Sequence, residues 1–495
     1  MSKLHPQLKN KEFSYKDITL VPYRLPDFER EEVDLTAFFT KKIKLKTPIV
    51  SSPMDTVTES RMAILMALFG GIGVIHYNFL TIEEQLDEAR KVKRFEAAFV
   101  RNPICLGPDN TVGDVYKINE EYGFFSTPIT EDGTLNSKLI GIITHRDVRY
   151  LEKMNVPLKK IMTPKEKLVT AHRKNTLDKN DIYEVNRIIK KHNLDTLPIV
   201  DDKFRLVALV TDSDLQKNDN FPLATKDNNK QLRVFIAIES RMDLAEKRVK
   251  QAVEAGFGID GVVVDAGIIY RKQLEIAKSI KKNFPELEVV LGNVCSGKML
   301  RDVLKDGARF IDGLRVGVGP GAACITQQEL GTGRSQASAV YDCAETVKKL
   351  KSKYGPMPLI ADGGIKILDD GSKRPADITK ALALGVQTVM VGSVLAGLEE
   401  SPGEKEYDDE NERMIKKYRG MGSVGAMQRR SAVRYGIDKV KVRVAEGKEI
   451  KVPYRGSGYD FLPRLIAGVK QSFQKQGFRN ILELQKHVDI RPISR

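Results

Sequence analysis

The chain has 495 residues, too many for one ordinary hydrophobic core, so we expect two or three domains, one of them large enough to be a barrel of about 250 residues. Hydrophobic residues make up 41% and charged residues 30%, a balance typical of a soluble globular protein. The 81 Lys and Arg against 66 Asp and Glu leave a net charge of +15, and since no basic run is interleaved with aromatic residues, a small anionic ligand is favoured over nucleic acid.

The four cysteines show neither CxxC spacing nor a neighbouring histidine cluster: Cys105, Cys295, Cys324 and Cys343. This pattern argues against a disulfide framework and a structural zinc site, and it indicates a reducing compartment. The N-terminus lacks an apolar signal region, and no stretch approaches the roughly 18 uninterrupted apolar residues of a membrane span. We therefore expect a cytoplasmic protein without membrane partners.

Short β-branched runs alternate with amphipathic segments over most of the chain. The runs that we predict as buried parallel strands are 48–52, 261–265, 288–293, 310–315, 358–362 and 388–392, and helices are predicted at 242–255 and 376–384. Several of these strands end in polar residues and glycine. This is the pattern of a (β/α)8 TIM barrel, an α/β fold whose active site lies at the C-terminal ends of its strands.

An insert in this alternation contains two similar segments. In the first, a strand-like run at 127–130 precedes 139–148, and in the second a run at 197–200 precedes 206–215. Each segment ends on a Thr-x-x-Asp step into a helix, which suits a helix N-cap. The other interpretation is a nucleotide site, because an Asp at a strand-to-helix junction can bind a ribose and the helix N-terminus can bind a phosphate.

The glycine-rich run 317–326 places Cys324 after an apolar strand-like segment. Cysteine attacks as the thiolate, and a loop with few side chains lets backbone N–H groups approach a phosphate and lower the thiol pKa. The alternative is a small buried residue in a tight turn. Two later loops, at 362–365 and 392–393, also follow apolar strands, at the place where many barrels hold a phosphate, although Gly-Gly alone often marks only a tight turn.

As a set, five segments resemble the inosine-5′-monophosphate (IMP) dehydrogenase family and its sister, guanosine-5′-monophosphate (GMP) reductase: 52–59, 292–294, 314–326, 361–365 and 418–423. The insert resembles a tandem pair of CBS domains, also called a Bateman domain, and it stands where that family carries one. The resemblance implies the following division of the chain: a catalytic TIM barrel at 1–96 and 223–495 with a flap at about 424–452, and a CBS pair at 97–222, with its two halves at about 97–155 and 156–222.

The resemblance implies an NAD-dependent oxidoreductase that converts IMP to xanthosine 5′-monophosphate in purine and GMP biosynthesis. Its catalytic positions here are Cys324, Thr326, Arg434 and Tyr435. Cys324 would attack C2 of the purine, a hydride would leave for NAD, and water activated by Arg434 and Tyr435 would hydrolyse the covalent thioimidate. An arginine base is unusual because Arg is protonated far above pH 7, and the residues alone favour an exposed loop pair at 434–435.

The same resemblance implies the binding positions. For the substrate these are Ser52, Met54, Asn293, Arg315, Asp362, Gly364, Gly392, Ser393, Tyr418, Gly420, Met421, Gly422 and Glu446, with the phosphate among Gly364, Gly392, Ser393 and Tyr418 and the ribose on Asp362. For NAD they are Asp265, Gly317 and Gly319, and for a potassium ion they are the backbone carbonyls of Gly319, Gly321 and Cys324. Asp147 and Asp214 would hold a regulatory ATP or GTP, and the family implies a homotetramer, or an octamer when the CBS pairs engage.

The chain departs from the family pattern at four places. Ala322 stands where a serine usually touches the phosphate, which predicts substrate binding weakened by about tenfold or more. Ser335 stands where proline is usual. The run 266–270 replaces a polar Ser-Ser-Gln-Gly-like run, and 235–240 replaces a small strand, which puts bulk into the barrel.

Two alternative functions follow. Because the departures fall mainly on the dinucleotide side, one is a purine-nucleotide-sensing paralogue with impaired catalysis. The other is GMP reductase, which uses NADPH and shares the Cys324 and Thr326 positions. The reductase does not resemble this chain at 434–435, and it typically has Gly-Gly at 392–393, so the dehydrogenase is favoured over the reductase. The retained Cys324, Thr326 and Arg434–Tyr435 pair favour an active enzyme over the sensing paralogue, because a chain freed from catalysis needs neither the thiol nor the pair.

Overall fold

The computed structural model describes residues 3–8, 11–95, 100, 103–151, 153–179, 182–211, 221–365, 375–428 and 444–493. The chain forms two compact units. One comprises Met1–Val92, Leu223–Thr225 and Arg233–Arg495, and the other comprises Lys93–Pro222 and Lys226–Leu232. The first unit is therefore built from discontinuous stretches of the chain.

The larger unit is built around a closed barrel of eight parallel strands. In chain order they are β1 Ile49–Ser51, β2 Ile72–Ile75, β3 Val234–Ile238, β4 Gly261–Asp265, β5 Glu288–Val294, β6 Gly313–Val316, β7 Leu359–Asp362 and β8 Thr388–Val391. Each strand pairs with the next, and β8 pairs with β1 to close the ring. The strands are almost wholly buried, as expected for parallel strands covered on both faces, and the predicted TIM barrel is confirmed.

Eight longer helices accompany the strands: α1 Ser60–Leu68, α2 Ile82–Phe95, α3 Met242–Glu254, α4 Arg271–Asn283, α5 Gly297–Gly307, α6 Gln336–Tyr354, α7 Pro375–Ala383 and α8 Gly458–Gln476. The apolar side of α5 shows why such segments cover a barrel. Its buried residues Leu300, Val303, Leu304 and Gly307 recur at three- and four-residue spacing and so lie on one face. The predicted helices 242–255 and 376–384 correspond to α3 and α7, each of which ends one residue earlier.

Two strands differ from the sequence-based expectation. The predicted strand 310–315 begins only at Gly313, because Ala308–Phe310 form a 3-10 turn in which the Arg309 guanidinium lies 4.7 Å from the centre of the Phe310 ring. The strand β2 was not predicted, since its apolar run is only four residues long and contains Gly73. Gly73 in that strand is required by packing, because a Cβ there would overlap Ala63 of α1.

Smaller elements complete this unit. Three-stranded sheets are formed by Lys3–Leu4, Asp489–Pro492 and Ile18–Val21, and by Lys405–Asp408, Arg413–Arg419 and Glu449–Pro453, while Ala37–Phe38 pairs with Lys44–Leu45. The short helices are Thr326–Leu330, Ser393–Ala396, Val424–Met427 and Ile481–His487, with 3-10 turns at Pro6–Leu8, Tyr15–Asp17 and Arg30–Glu32. Among the described residues, no helix is both long and apolar enough to cross a membrane.

The smaller unit contains two similar α/β halves. The first half has helix Val112–Tyr122, strands Thr127–Thr130, Leu139–Ile143 and Thr163–Pro164, helix His145–Val148 and 3-10 turns Leu158–Lys160 and Lys165–Lys167. The second has strands Ala171–His172, Thr196–Val200 and Leu206–Thr211, 3-10 turn Arg173–Asn175 and helix Ile182–His192. Each half has its own buried apolar cluster, around Ile129 and Ile143 in the first and around Leu197 and Ile199 in the second.

Candidate active site

A cleft of about 700 Å³ opens at the C-terminal ends of the barrel strands. Its walls come from the loops that follow six of the strands and from two later segments, 418–422 and 446–447. The sequence-predicted positions that line it are Ser52, Met54, Asn293, Arg315, Gly317, Gly319, Gly321, Cys324, Thr326, Asp362, Gly364, Gly392, Ser393, Tyr418, Gly420, Met421, Gly422 and Glu446. Arg434, Tyr435 and Asp214 lie outside the described residues.

Cys324 is held half-buried in the cleft wall by a tight turn and by a neighbouring strand segment. Its backbone N–H donates to the carbonyl of Gly321 at 3.0 Å. On either side, the N–H of Ile325 donates to the carbonyl of Glu446 and the N–H of Lys448 to the carbonyl of Ala323, both at 2.9 Å. The cysteine loop is therefore paired with the segment that follows 443.

A hydrogen-bonded chain runs from the Cys324 thiol to a carboxylate. The Sγ atom lies 3.2 Å from Thr326 Oγ1, and that hydroxyl donates to Glu446 Oε2 at 2.9 Å. Because the threonine hydroxyl gives its own proton to the carboxylate, it can accept one from the thiol or from a water molecule at the same place. This arrangement can pass a proton from the reacting centre to Glu446.

A buried charge cluster forms the floor of the cleft. Arg315 Nη1 donates to Asp265 Oδ1 at 2.9 Å, and Arg315 Nη2 donates to Asp362 Oδ2 at 2.6 Å. Asn293 Nδ2 donates to the same Asp362 oxygen at 2.7 Å and to the carbonyl of Gly317 at 2.7 Å. Asp362 and Asn293 line the cleft, and the Asn293 Oδ1 atom is buried without a partner among the described residues, so it can accept a hydrogen bond from a ligand.

Asp265 does not line the cleft. Its side chain is fully buried and its carboxylate pairs with Arg315, while its carbonyl accepts from Ser240 Oγ at 2.8 Å. Asp265 was predicted to contact the dinucleotide. In this structure it instead pairs with Arg315, whose guanidinium also orients Asp362. The sequence analysis missed this pairing because 50 residues separate Asp265 from Arg315.

The positions that the family resemblance assigns to the phosphate all line the cleft: Gly364, Gly392, Ser393 and Tyr418. We call this part of the cleft the phosphate end, and these four described residues are glycines and hydroxyl residues, with no lysine or arginine among them. A Cβ on Gly392 would stand 2.9 Å from the Tyr418 hydroxyl, so glycine is needed for this close approach. Burial, with lesser contributions from the charges of Asp362 and Cys324, raises the pKa of Tyr418, which stays a hydroxyl donor at neutral pH. Ala322 also lines the cleft, so no serine hydroxyl is available at that position.

The outer part of the cleft has a different composition. It is lined by Gly267, Ile268, Tyr270, Arg271, Lys272, Leu330 and Thr332, of which Arg271, Lys272, Leu330 and Thr332 were not predicted. Tyr270 is 60% exposed, and Lys272 Nζ lies 5.7 Å from the centre of its ring. An aromatic face beside a cation suits a nucleotide base and its phosphate. The sequence Tyr270-Arg271-Lys272 at the start of α4 was the signal that could have identified this part of the cleft.

No residue of 235–240 lines the cleft, although the sequence analysis expected their bulk to affect the dinucleotide side. Phe235 is the second residue of β3, and its ring packs edge-on against Phe39 with centroids 5.0 Å apart in the core cluster. Glu239 pairs instead with the fully buried Arg248, whose Nε lies 2.8 Å from Glu239 Oε2. Ser335 lies at the N-cap of α6 and makes no capping hydrogen bond through its side chain.

The smaller unit has a second cavity of about 550 Å³. It is lined by Gly123, Phe124, Phe125, Ser126, Thr144, His145, Arg146 and Asp195. Asp147 is absent from this lining, and its Oδ2 accepts from Thr144 N at 2.7 Å and Thr144 Oγ1 at 2.9 Å. Of the two interpretations of the Thr-x-x-Asp step, the helix cap is therefore the one that the side chain adopts here.

Comparisons with known proteins place these features in context. The family model described as IMP dehydrogenase / GMP reductase domain matches residues 12–495. An inosine-5′-monophosphate dehydrogenase of Schizosaccharomyces pombe is 42% identical over 484 residues, covering 96% of this chain and 87% of the relative. One from Aquifex aeolicus is 40% identical, covering 96% and 91%. Among solved structures, a GMP reductase of Trypanosoma brucei in complex with guanosine 5′-monophosphate matches with a TM-score of 0.86 at 29% identity, covering 99% of this chain and 96% of that one.

Proposed function

Since the chain belongs to the IMP dehydrogenase / GMP reductase family, we propose that it oxidises IMP to xanthosine 5′-monophosphate with NAD, as a step of guanine nucleotide biosynthesis. The curated relatives at 38–42% identity are IMP dehydrogenases. The observation that carries the proposal is the juxtaposition, in one cleft, of Cys324, the Thr326–Glu446 hydrogen bond and the residues proposed for the phosphate, Gly364, Gly392, Ser393 and Tyr418.

In the first half of the reaction the Cys324 sulfur adds to C2 of the purine. As that bond forms, the hydrogen on C2 leaves with its electron pair, and NAD bound beside the purine supplies the hydride acceptor. A thioimidate then joins Cys324 to the nucleotide. The phosphate end, at Gly392 and Tyr418, and the ribose carboxylate of Asp362 hold C2 in place, which turns a bimolecular step into an oriented one.

In the second half water adds to C2 and the thiolate leaves, which yields xanthosine 5′-monophosphate and a proton. Within the described residues, Thr326 and Glu446 form the hydrogen-bonded route for that proton. Arg434 and Tyr435 are proposed to act here on the family resemblance alone. An arginine is already protonated at neutral pH and must lose a proton before it can accept one, whereas a carboxylate is ionised and can accept a proton directly. Glu446 is therefore the chemically simpler final acceptor of the proton.

The residues present fit both groups that the family implies. NAD would lie along the outer part of the cleft, with Tyr270 and Lys272 beside its base and phosphates and Gly317 and Gly319 at its reactive end. For potassium, backbone carbonyls are suitable ligands. In the described part of the chain the carbonyls of Gly319 and Cys324 accept no hydrogen bond, and that of Gly321 accepts one from Cys324 N.

The deciding experiment follows absorbance of the dinucleotide with purified protein. IMP with NAD should produce NADH, in potassium buffer and to a lesser extent in sodium buffer. Guanosine monophosphate with NADPH is the parallel arm. NADPH consumption without NADH production would replace the dehydrogenase by the reductase, and neither signal despite measurable IMP binding would favour the impaired, nucleotide-sensing alternative.

The reductase is the second candidate because three solved structures with matching folds are GMP reductases of T. brucei, at 27–29% identity. Those values are lower than the 38–42% identity to the curated dehydrogenases. The Ser393 side chain and the Arg434–Tyr435 pair also depart from the reductase pattern. The nucleotide-sensing alternative loses one of its supports, since 235–240 stay out of the cleft.

Replacing Glu446 by Gln should separate the two halves of the reaction. Gln keeps a hydrogen-bond acceptor for Thr326 but is not a base, so the first turnover should still form NADH while the steady-state rate falls about 100-fold, the usual contribution of a general base. Stopped-flow absorbance at 340 nm measures both phases. Glu329→Gln is the matched control, since Glu329 is exposed on the helix Thr326–Leu330. An undiminished steady-state rate in Glu446→Gln would remove Glu446 from the proton route.

We further propose that 97–222 form a tandem CBS pair, with halves at about 97–155 and 156–222, that binds ATP or GTP in the cavity beside Thr144 and His145. Phe125 and His145 lie with ring centroids 4.7 Å apart at this cavity and offer aromatic faces for a purine. The assembly that accompanies this proposal is a homotetramer that becomes an octamer with bound nucleotide, which light scattering tests.

Asp147→Ala should abolish or weaken by about tenfold any effect of ATP or GTP on the rate, because the Thr144 backbone and hydroxyl that Asp147 orients line the cavity. Calorimetric titration of each nucleotide provides the affinity. Asp147→Asn, which retains an acceptor for the cap, should have a smaller effect, and Asp109→Ala, at an exposed carboxylate of the same half, should have none. An unaltered response in Asp147→Ala would contradict the assignment.

A further inference from the structure

Arg455 donates hydrogen bonds to backbone carbonyls of the loop that contributes Ser393 to the cleft wall. Its Nη1 atom donates to the carbonyls of Ser393 at 3.2 Å and Val394 at 3.4 Å, and its backbone N–H donates to the carbonyl of Gly397 at 2.8 Å. Because the peptide group is planar, holding the Ser393 carbonyl on the Arg455 side turns the N–H of Val394 away from Arg455. Ser393 lines the cleft, so the guanidinium fixes a peptide of the cleft wall without entering the cleft.

Lys416 supports the continuation of the same loop. Its side chain is fully buried, and its Nζ atom donates to the carbonyls of Leu398 at 3.1 Å and Ser401 at 2.6 Å. It lies on the strand Arg413–Arg419, two residues before Tyr418 of the cleft. Arg455 therefore contacts the part of this loop that lines the cleft, at Ser393, and Lys416 holds the later part of the same loop, at Leu398 and Ser401.

The charges around these two cations do not balance. In the described part of the chain, no carboxylate oxygen lies within 4.0 Å of either one, and their hydrogen bonds go to carbonyls. The charged groups that face them are Glu399, Glu400, Arg61, Lys405 and Arg413. Glu399 accepts from Tyr454 and Lys405, and Glu400 accepts from the backbone N–H of Gly458. Among these described groups the cations outnumber the two carboxylates, so this region carries excess positive charge. Burying a cation without a paired anion is costly.

Arg455 remains charged at neutral pH, because its pKa stays well above 7. Burial, with a smaller contribution from Arg413, lowers the pKa of Arg455 to about 10, and burial also lowers the pKa of Lys416. A charged group close to the phosphate end acts on a bound anion through the protein interior, where screening is weaker than in water.

We propose that Arg455 and Lys416 are positioning residues, two buried cations that hold the loop contributing Ser393 to the phosphate end of the cleft. Their positive charge, which we call the cationic backing, makes the phosphate end bind the substrate phosphate as a dianion. This rests on the proposed function only in that the ligand is a purine nucleoside monophosphate. A phosphate monoester loses its second proton with a pKa of about 6, so the backing attracts the substrate more strongly above that pH than below it.

The test measures binding and turnover of Arg455→Gln at two pH values. At pH 7.5 the dissociation constants of IMP and of inorganic phosphate, and the KM for IMP, should rise about tenfold, whereas at pH 5.5 they should rise about threefold or less. The kcat and the KM for NAD should stay within about twofold. Arg455→Lys should restore most of the loss at pH 7.5, and Lys417→Gln, at an exposed lysine paired with Glu406, is the control.

Binding of inosine, which has no phosphate, separates positioning from simple misfolding. Inosine affinity should be unchanged in Arg455→Gln, and an equal loss for inosine and IMP, or an equal loss at both pH values, would overturn the proposal. If Arg455→Gln does not fold, Arg455→Met, which keeps the volume, carries the same measurements. Calorimetry with IMP, GMP and inorganic phosphate needs no turnover. Absence of dehydrogenase activity would therefore count against the proposed function, while the binding measurements would still test the role of Arg455.

Discussion

Cys324→Ala should abolish NADH production, lowering the rate by at least about a thousandfold, while IMP binds with nearly the wild-type affinity. The sulfur is proposed as the atom that bonds to C2, and the variant removes that atom alone. Phosphate and ribose contacts at Gly392, Tyr418 and Asp362 remain. Progress curves at 340 nm and calorimetric titration of IMP measure the two quantities.

Thiol chemistry provides the control for this variant. Burial raises the pKa of Cys105 to about 12 and also raises the pKa values of Cys295 and Cys343, so these thiols are poor nucleophiles at neutral pH. Iodoacetamide should therefore modify Cys324 first, IMP should protect it, and Cys105→Ala should leave activity intact. Substantial turnover in Cys324→Ala would refute covalent catalysis at this residue.

Arg315→Leu should cause the largest loss of stability, about 3–5 kcal/mol in the free energy of unfolding of the barrel. The side chain of Arg315 is 2% exposed, and it bridges Asp265 and Asp362, so its removal leaves two carboxylates without their cation. IMP binding should weaken as well, since Asp362 loses the guanidinium that orients it. Urea unfolding monitored by circular dichroism measures the change.

Arg334→Leu is the matched control for that experiment. Arg334 also bridges two carboxylates, Glu12 and Asp342, but its side chain is 27% exposed, and solvent screens the charges that remain. We expect a loss of about 1 kcal/mol there. If both variants lost the same small amount, the Asp265–Arg315–Asp362 cluster would not be a major source of stability.

The barrel was predictable because its strands are local features. In the runs 261–265 and 288–293 the central residues 262–264 and 289–291 are apolar and mostly β-branched, the composition typical of parallel strands buried on both faces. The run at 72–75 was missed because it is short and contains Gly73, which the close packing against Ala63 requires. The run around Cys324 by itself left a tight turn as the alternative, and the family resemblance of the five segments together pointed to an active site there.

The partners of the polar residues were not predictable. The family resemblance implied a dinucleotide contact for Asp265, yet its carboxylate pairs with Arg315 and does not line the cleft. Phe235 suggested obstruction of the cleft and instead packs against Phe39. Arg455 and Lys416 showed no motif at all, because their function depends on which carbonyls they meet.

The sequence by itself determined the alternation of strands and helices, the family and the chemical types of the site, with Cys324, Thr326 and the glycine loops at its centre. Only the tertiary structure decided that Glu446 receives the Thr326 hydrogen bond, that Asp265 is buried and that Arg455 donates to the carbonyl of Ser393. Hydrophobic periodicity and the composition of loops depend on residues that are neighbours in the chain, so both can be read from a short stretch of sequence. Charge pairing and packing direction arise when the closing barrel brings together residues separated by tens to hundreds of positions, and burial then makes those contacts energetically decisive.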